Sequence, residues 1–373
     1  VTDESYADAL DLSEYDYESL VEKLREREYE GTEYRYVPDY NTKVERGTVL
    51  IDGEVVRGFP KVPRTLVLSE GVPRYFDEEV VVEEKMNGYN TRVARIDGET
   101  LAFSRSGIVC PFTTRFLNRV YGDELGTLID EKPDAMVCCE TVGRDNPYTA
   151  HDYDEVDSLD MRVFDVRDTH TGESVPVEKR RELCEKHGLP SVPFYGTHDL
   201  EDAVDAVRDA IQELDDKDRE GVVMKTPDVS QQLKYTTSSA NQGDLEFAFS
   251  LPFDYGQDFM FRRIIREAFQ SHEYDDAEKH EERARSLGES VLSSMVETIE
   301  RVDDGETVGE RHTVRAAPEE VEALLEHLRG MGLQLVVRED RREGDERYVE
   351  FVKKTQATND KTSGYLDGQI VRE

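Results

Sequence analysis

Short apolar runs rich in β-branched residues recur in the middle of the chain, between residues 67 and 245. Runs of this length, separated by glycine-containing polar segments, predict strands. We expect seven of them, at residues 80–84, 91–96, 100–104, 135–141, 161–166, 221–225 and 232–236. Apolar residues at helical spacing predict two helices, at 177–187 and 200–214. Because strands outnumber helices and do not strictly alternate with them, the pattern predicts an α+β fold with mostly antiparallel sheets.

The first 66 residues carry the pattern of a small N-terminal β module. Ser13 precedes a short apolar-periodic stretch and is expected to cap a helix. Residues 48–56 contain two β-branched runs around an Asp-Gly turn, which predicts a hairpin. The glycine- and proline-rich segment 58–63 then interrupts regular structure and marks a boundary.

After residue 246 the pattern changes to that of amphipathic helices. Two apolar stripes appear between 246 and 303, one formed by Phe261, Ile264, Ile265, Ala268 and Phe269, the other by Leu292, Met295, Val296 and Ile299. Polar residues occupy the other faces, so each stripe must be covered. An antiparallel helix pair or a second copy of the chain would cover it.

The last 70 residues, 304–373, read as a strand, a helix and two strands. Pro318 stands at a favoured first helical position and Gly330 ends the apolar stripe. The predicted strands 333–339 and 347–353 flank an arginine-rich turn. These arginines fit a solvated hairpin and a nucleic-acid contact equally well.

The charge balance is extreme. The chain has 84 acidic and 47 basic residues, a net charge of −37, and its basic residues are 33 Arg but only 14 Lys. Disorder does not explain this, because 37% of the residues are hydrophobic and fall into periodic segments. A surface rich in carboxylates and poor in lysine indicates adaptation to molar salt, where the Debye length falls to about 3 Å. A lysine inside an apolar segment therefore needs a specific reason.

The cellular setting follows from what the sequence lacks. No run approaches the roughly 18 apolar residues of a membrane span, and the first residues are acidic rather than basic and apolar as in a signal peptide. The cysteines, at positions 110, 138, 139 and 184, form no Cys-x-x-Cys pair. Free thiols in a reducing cytoplasm are expected, and the histidine spacing does not favour a zinc site.

Lys85 is the lysine that most needs such a reason. It ends the β-branched run 80–84 and precedes Gly88 by three residues. Roughly one Lys-x-x-Gly pair is expected by chance in this composition, and a second one exists at Lys361 and Gly364. Lys85 could simply pair with a neighbouring acid at a strand edge. Alternatively, its neutral amine could attack a phosphorus atom.

Other strands carry isolated polar or aromatic side chains that would serve such an attack. They are Glu140, Phe164, Glu220 and Lys234. Taken singly, each is more simply explained by a structural role. Taken in order, they supply a ribose or metal acceptor, a plate for a base, a metal carboxylate and a phosphate-binding amine, which are the parts that nucleotidyl transfer needs.

Six segments, 85–88, 104–107, 140–143, 161–167, 220–225 and 233–236, resemble motifs I, Ia, III, IIIa, IV and V of the covalent nucleotidyltransferases. Asn87 and Asn90 replace the Asp and Arg usual in DNA ligases. Together with Tyr89 and the run 143–148, they make the chain similar to the archaeal homodimeric ATP-dependent RNA ligases. The resemblance implies an N-terminal β module (1–66), a nucleotidyltransferase domain with ATP-grasp-like antiparallel sheets (67–245), a helical dimerisation module (246–303) and a C-terminal α/β module (304–373).

The resemblance also implies roles for individual residues. Lys85 would take AMP from ATP with Mg²⁺ or Mn²⁺ at Glu220, and pass it to an RNA 5′-phosphate for sealing by a 3′-hydroxyl. The implied nucleotide-binding residues are Glu84, Lys85, Asn90, Glu140, Phe164, Val223, Lys225 and Lys234. The implied catalytic residues are Lys85, Asn90, Arg105, Lys225 and Lys234, with Arg92 as a weaker candidate. Gln232 replaces the first of two lysines common in motif V, which leaves open whether Lys225 or Lys234 is the main phosphate ligand.

Two alternatives remain. A DNA ligase or capping-type nucleotidyltransferase shares the motifs, although the helices after Lys234 take the place of the expected oligonucleotide-binding barrel. A non-catalytic acidic RNA-binding or interaction protein would suit the charge, but it would have no need of Lys85, Glu220 and Lys234 together. Since a chain of net charge −37 repels phosphates, RNA binding would require a local basic groove and stacking.

Overall fold

The computed structural model describes residues 3–39 and 43–370. The N-terminal region contains α1 (Asp3–Ala9), α2 (Glu14–Val21) and a four-stranded antiparallel sheet in chain order, β1 (Arg25–Tyr29), β2 (Thr32–Tyr36), β3 (Val49–Ile51) and β4 (Glu54–Val56). Ser13 caps α2 as predicted, since its hydroxyl accepts from the Asp16 N–H at 3.2 Å. The predicted hairpin is confirmed as β3 and β4. Residues 1, 2 and 371–373, which the predicted terminal modules include, lie outside the described residues.

Two four-stranded antiparallel sheets form the centre. The elements follow as α3 (Leu68–Tyr75), β5 (Val80–Lys85), β6 (Tyr89–Ile96), β7 (Glu99–Ser104), α4 (Pro111–Glu131), β8 (Ala135–Val142), β9 (Asp160–Asp168), α5 (Val177–His187), β10 (Phe194–His198), α6 (Leu200–Asp215), β11 (Gly221–Lys225) and β12 (Gln232–Thr236). One sheet has the order β10-β5-β11-β12 and the other β7-β6-β8-β9. All seven predicted strands and both predicted helices are present, and the α+β class is confirmed.

Helices and a third sheet cover these two sheets. Helix α6 buries Ala203, Val207, Ile211 and Leu214 on one face and packs with α3 on the first sheet. Helices α4 and α5 cover one face of the second sheet. The N-terminal sheet covers its opposite face, where Val49 and Ile51 pack against Phe103 and Met136. The N-terminal strands therefore complete the core of the central domain.

The hydrophobic pattern did not predict α3, α4 or β10. Helix α4 is the longest of them, and Gly122, Gly126 and several β-branched residues lower its intrinsic helix propensity. Its backbone leaves helical geometry at Tyr121. It nevertheless buries eight side chains, among them Phe112, Phe116 and Leu117. Tertiary packing thus overrides a weak local preference.

The region after β12 is helical, as predicted. It contains α7 (Ser238–Phe249), α8 (Gln257–Tyr274), α9 (Ala277–Gly288), a π-helical turn (Glu289–Ser293) and α10 (Ser294–Asp303). The two predicted apolar stripes are covered only in part within one chain: Ile264 packs against a buried cluster, but Phe261 is 61% and Leu292 is 64% exposed. Instead α8 buries Met260, Glu267 and Gln270. None of the described helices is long and apolar enough to cross a membrane.

The C-terminal region confirms the predicted strand, helix and two strands and adds one helix. Its elements are β13 (Gly309–Ala316), α11 (Pro318–Gly330), β14 (Leu335–Glu343), β15 (Glu346–Lys354) and α12 (Gln356–Leu366), with sheet order β13-β15-β14. Leu324 and Leu328 of α11 share a core with Phe112 of α4. In the arginine-rich hairpin, Arg347 pairs with Asp340 at 2.7 Å and Arg341 pairs with Glu339 and Glu343. Acidic neighbours therefore compensate these arginines.

Candidate nucleotide-binding site

A cavity of about 600 Å³ opens between the two central sheets. Strand β5 belongs to one sheet and β6 to the other, and the turn at residues 86–88 joins them. The cavity is lined by the side chains singled out above, namely Glu84, Lys85, Asn90, Arg105, Glu140, Phe164, Val223, Lys225 and Lys234. A volume of this size is typical of sites for nucleotide-sized ligands.

Lys85, which lines this cavity, forms an ion pair with Glu220. The Lys85 Nζ lies 2.5 Å from Glu220 Oε2, and the two side chains are 24% and 21% exposed. The antiparallel register explains the contact, because Lys85 is opposite Gly221 and Glu220 immediately precedes it. The predicted nucleophile and the predicted metal carboxylate are thus neighbours.

Glu83 lies at the centre of a second ion network, which forms the cavity wall. Lys225 Nζ donates to Glu83 at 2.8 Å and to the Phe164 carbonyl at 2.8 Å, while Arg180 binds both Glu83 oxygens. Burial acts to raise the pKa of Glu83, but Lys225 and Arg180 outweigh it and hold the pKa at about 2. Glu83 therefore stays ionised, and two of the three Lys225 donors are engaged by protein atoms.

The sequence prediction did not include Glu83 and Arg180 in the site. An acid within a buried β-branched run was a signal for Glu83. Arg180 reads as a solvent-facing charge on a polar helix, so the pattern contained no signal for it. Its burial becomes evident only when α5 packs behind β5.

Lys234 is a lysine without a carboxylate partner among the described residues. It stands opposite Val223 in the β11–β12 pair and is half-buried. Burial is the main cause that lowers its pKa to about 7, and the positive charges of Lys85, Arg64 and Arg105 add to the effect. An anionic group entering the cavity would restore its charge.

Phe164 and Val223 come from different sheets and both line the cavity. The ring of Phe164 packs edge-on against Phe59, with centroids 5.2 Å apart. Phe59 fixes the orientation of this ring and was not predicted as part of the site. The two side chains can accommodate a flat base between them.

Glu140 and Asn90 are opposite each other in the β6–β8 pair. Burial raises the pKa of Glu140 to about 8; Lys85 opposes the shift and Glu220 adds to it. At neutral pH the free carboxyl is therefore largely protonated. The side-chain oxygen of Asn90 is buried and accepts no hydrogen bond within the described part of the chain. Both groups suit a hydroxyl-bearing ligand.

Three predictions about this region require correction or refinement. Arg92 is wholly buried and donates to the carbonyls of Arg57, Gly47 and Ser104, so the prediction of a substrate-facing role for Arg92 is wrong. Gly88 lines the cavity, and a side chain there would also meet the Thr141 carbonyl at 2.2 Å, so strand packing by itself requires glycine at this position. Glu84 lines the cavity but contacts Arg219 at 3.4 Å.

Residues from the C-terminal region also reach the cavity. His327 and Met331, at the end of α11, line it together with Tyr148. Helix α11 is held against α4 by Arg119, which binds both oxygens of Glu320 at 2.6 and 3.0 Å. These lining residues were not predicted, because a stripe on a distant helix does not reveal which cavity its end approaches.

Comparisons with known proteins agree with this geometry. Residues 78–236 match the family model described as RNA ligase, and residues 247–369 match that of the C-terminal region of ligase Pab1020. The chain is 37% identical over 380 residues to an uncharacterised protein of Methanocaldococcus jannaschii, covering 98% of this chain and 95% of the relative. Two structures of an archaeal ATP-dependent RNA ligase, forms 1 and 2, share 37% identity, cover 100% of both chains and have TM-scores of 0.92 and 0.93.

The chain belongs to the archaeal ATP-dependent RNA ligase family. The chain is also similar to a structure provisionally named as an ATP-dependent DNA ligase of Aquifex aeolicus. The two share 28% identity with a TM-score of 0.88, and the match covers 96% of this chain and 100% of the Aquifex chain. The predicted family and nucleotidyltransferase fold are confirmed. The roles of single side chains in this RNA ligase stay predictions, which the geometry above makes testable.

Proposed function

We propose that the protein joins RNA 5′-phosphate and 3′-hydroxyl ends, or circularises RNA, through a lysyl-AMP intermediate. Lys85 Nζ attacks the α-phosphorus of ATP, a P–N bond forms, and the bond to the pyrophosphate oxygen breaks. The RNA 5′-phosphate then takes the AMP, and the 3′-hydroxyl displaces AMP to form the phosphodiester. The observation that carries the proposal is that Lys85, paired with Glu220, lines the same cavity as Phe164 and Val223.

The Lys85 amine must lose its proton and its ion pair before it can attack. Glu220 is its carboxylate partner at 2.5 Å, and the Glu220 side chain is 21% exposed. Mg²⁺ or Mn²⁺ held by Glu220 and by phosphate oxygens would supply positive charge for the transferring phosphoryl group. The described residues include no cluster of three metal-binding side chains. A site with one carboxylate and phosphate oxygens as ligands suits an ion that keeps much of its water shell.

The other lining residues position the nucleotide. Phe164 and Val223 hold the adenine between them, and Glu140 and Asn90 contact the ribose. Lys234 binds phosphate oxygens and, with Lys225, keeps the local field positive. Arg105, which lines the same cavity, contacts the RNA end in the later steps.

RNA is the proposed substrate rather than nicked DNA. Asn87 and Asn90 replace the acid and the arginine of the DNA-ligase motif, although the similar Aquifex protein carries a DNA ligase name. Equal concentrations of 5′-phosphorylated single-stranded RNA and nicked duplex DNA, offered in parallel, separate the two substrates. Dominant sealing of nicked DNA would refute the RNA assignment.

A homodimer is the second part of the proposal. Phe261 and Phe269 of α8 and Leu292 and Val296 beyond it leave apolar surface exposed on the helical region. Monomeric proteins rarely leave such a patch uncovered. We expect sedimentation to give a dimer, and Leu292→Glu to convert it to a monomer. A dimer that persists in this variant would refute the interface.

A high-salt cytoplasm is the proposed environment. The net charge of −37 produces self-repulsion that salt screens, and all four cysteines are free and buried. We expect the thermal midpoint to rise with KCl concentration up to the molar range. A midpoint that is constant or falls over this range would contradict salt adaptation.

The adenylation step has a direct test. The protein is mixed with Mg²⁺ and ATP labelled at the α-phosphate, and acid-precipitated chain is counted. We expect one label per chain, stable to acid and released by pyrophosphate. Label in the γ-position of ATP should not be retained. An absence of α-label under conditions where the chain is folded would refute the proposed chemistry.

A further inference from the structure

Three arginines meet beyond Lys234, outside the cavity described above. Arg64 precedes α3, and its backbone neighbours pair with β12: the Lys234 N–H donates to the Pro63 carbonyl at 3.0 Å, and the Thr65 N–H donates to the Lys234 carbonyl at 3.3 Å. The Arg64 guanidinium donates to Thr236 Oγ1 at 2.7 Å. Arg64 is thereby fixed at the end of the strand that carries the phosphate-binding lysine.

The other two arginines come from α8. Arg266 donates to Asn241 Oδ1 at 3.4 Å, and the same oxygen accepts from Thr236 Oγ1 at 3.2 Å. Arg64 and Arg266 are therefore connected through two neutral side chains. Arg263, one turn away, binds Asp244 at 2.9 Å, and its guanidinium lies over the Phe259 ring.

This cluster carries a local excess of positive charge. Neither Arg64 nor Arg266 forms an ion pair with a carboxylate in residues 3–39 or 43–370, and both side chains are partly buried. Burial, together with the charges of Arg64 and Arg263, lowers the pKa of Arg266 to about 10. The nearby acids are Asp244 and Glu220, and Asp244 already pairs with Arg263.

Such an arrangement is unexpected in a chain with 84 acidic and 47 basic residues. A partly buried guanidinium without a counter-charge is costly, and carboxylates are abundant enough to have supplied one. Hydroxyl and amide oxygens, which cannot neutralise a charge, hold these guanidiniums in place instead. A bound anion would supply the counter-charge that these guanidiniums lack.

We propose that Arg64, Arg263 and Arg266 form a phosphate-binding site that continues from Lys234. Guanidiniums bind phosphate oxygens through paired N–H groups, so a site of this kind would hold one or two phosphate groups. The phosphates come either from ATP, as the β- and γ-phosphates that leave as pyrophosphate, or from the backbone of bound RNA. Only this choice of source rests on the function proposed above.

Inorganic tripolyphosphate tests the site without requiring catalysis. Its affinity for the full-length protein is measured by calorimetry at one fixed KCl concentration. In the double variant Arg64→Gln/Arg266→Gln we expect binding to weaken about tenfold or more. The matched control is Arg262→Gln, on the same helix, where the side chain is 63% exposed and pairs with Asp258. The control should stay within about twofold of the wild type.

The double variant must be folded for this comparison, which its circular dichroism and thermal midpoint report. If it unfolds, the single variant Arg266→Gln takes its place, with a loss of about threefold or more expected. Affinities within twofold of both wild type and control would overturn the proposal. A loss that depends on Arg64 and Arg266 supports it even if no adenylation is ever detected.

Two further measurements identify the source of the phosphate. If the site holds ATP phosphates, the pyrophosphate concentration that half-reverses adenylation rises about tenfold in the double variant and RNA affinity is unchanged. If it holds RNA, log affinity for 5′-phosphorylated RNA depends less steeply on log KCl in the double variant. The negative slope becomes shallower by about 1.4, or about 0.7 for each lost contact. If both are unchanged, the site serves neither source and the proposal fails.

Discussion

Two lysine–carboxylate pairs connect the same two strands, and they differ in almost every physical respect. Lys85 and Glu220 are 24% and 21% exposed, and Lys85 lines the cavity. Lys225 and Glu83 are 3% and 1% exposed and stand within its wall. Both pairs bridge β5 and β11, because the register places Lys85 opposite Gly221 and Glu83 opposite Val223.

The difference lies in how many protein partners each lysine has. Lys225 also donates to the Phe164 carbonyl, and Arg180 binds the same carbonyl and both oxygens of Glu83. An ion pair so enclosed is expensive to break, whereas a pair in contact with solvent contributes less, on the order of 1 kcal/mol. A ligand can therefore displace Glu220 from Lys85 at little cost, while the wall keeps its geometry. The proposed catalytic pair and the supporting pair therefore lie close together in one sheet.

The largest effect should come from the exposed pair. Lys85→Gln removes the proposed nucleophile, and we expect acid-stable label from α-labelled ATP to fall to background. Because the pair is in contact with solvent and lacks the additional partners of the buried pair, the free energy of unfolding should change by only about 1 kcal/mol. Label transfer and denaturant unfolding of the same preparation measure the two quantities. Residual labelling above background would place the nucleophile elsewhere.

The buried pair should show the opposite behaviour. Glu83→Gln leaves Arg180 and Lys225 as uncompensated buried charges, and we expect the free energy of unfolding to fall by about 5 kcal/mol. Lys225→Gln should cost less, about 3 kcal/mol, since Arg180 still neutralises Glu83. Urea unfolding monitored by circular dichroism measures both. If Lys225→Gln abolished labelling while leaving stability intact, Lys225 would be a phosphate ligand rather than part of the wall.

A third lysine, Lys234, sharpens the comparison because it has no carboxylate partner among the described residues. Its pKa is lowered to about 7, mainly by burial and also by Lys85, Arg64 and Arg105. At pH 8 most of the free protein therefore carries the neutral amine, and a bound triphosphate favours the ammonium form. Binding should take up about half a proton or more at pH 8, and ATP affinity should fall as the pH rises above 7.

Calorimetry with a non-reacting ATP analogue, in two buffers of different ionisation enthalpy, measures this uptake. The control is Lys234→Arg, whose guanidinium stays charged across this range, so its binding should be independent of the buffer. Equal proton uptake in the two proteins would assign the titration to another group. Glu140, with a pKa of about 8, is the first to examine, and Glu140→Gln would remove its contribution.

The sequence predicted the residues around Lys85 and Glu220 better than the buried network around Glu83. Lys85, Glu140, Phe164, Glu220 and Lys234 each stand out as polar or aromatic groups in or beside an apolar strand. The structure places four of them around one cavity and the fifth, Glu220, against Lys85. Their order along the chain, rather than any single residue, carried the prediction. Strand positions were predictable because the β-branched runs are short and sharply bounded.

The buried network around Glu83 depends on packing that no local sequence pattern encodes. Arg180 occupies a polar helix, and nothing in its neighbourhood distinguishes it from an exposed arginine until α5 meets Glu83 across 97 residues of sequence. Helix α4 was missed because glycines lower its propensity while tertiary contacts stabilise it. Arg92 was misassigned for a related reason: its carbonyl partners come from three separate loops and strands.

The smallest effect should come from Lys361, which repeats the Lys-x-x-Gly pattern of Lys85 in helix α12. Lys361 is exposed and lies 5.0 Å from the centre of the Phe253 ring, a contact worth about 0.5–1 kcal/mol at most. Lys361 lies within a helix rather than at the end of a strand. It therefore has no neighbouring strand that could place a carboxylate opposite it, as β11 does for Lys85. We therefore expect Lys361→Gln to leave label transfer unchanged and unfolding within about 1 kcal/mol of wild type. A loss of labelling would mean that the four-residue pattern, rather than its position between two sheets, determines the chemistry.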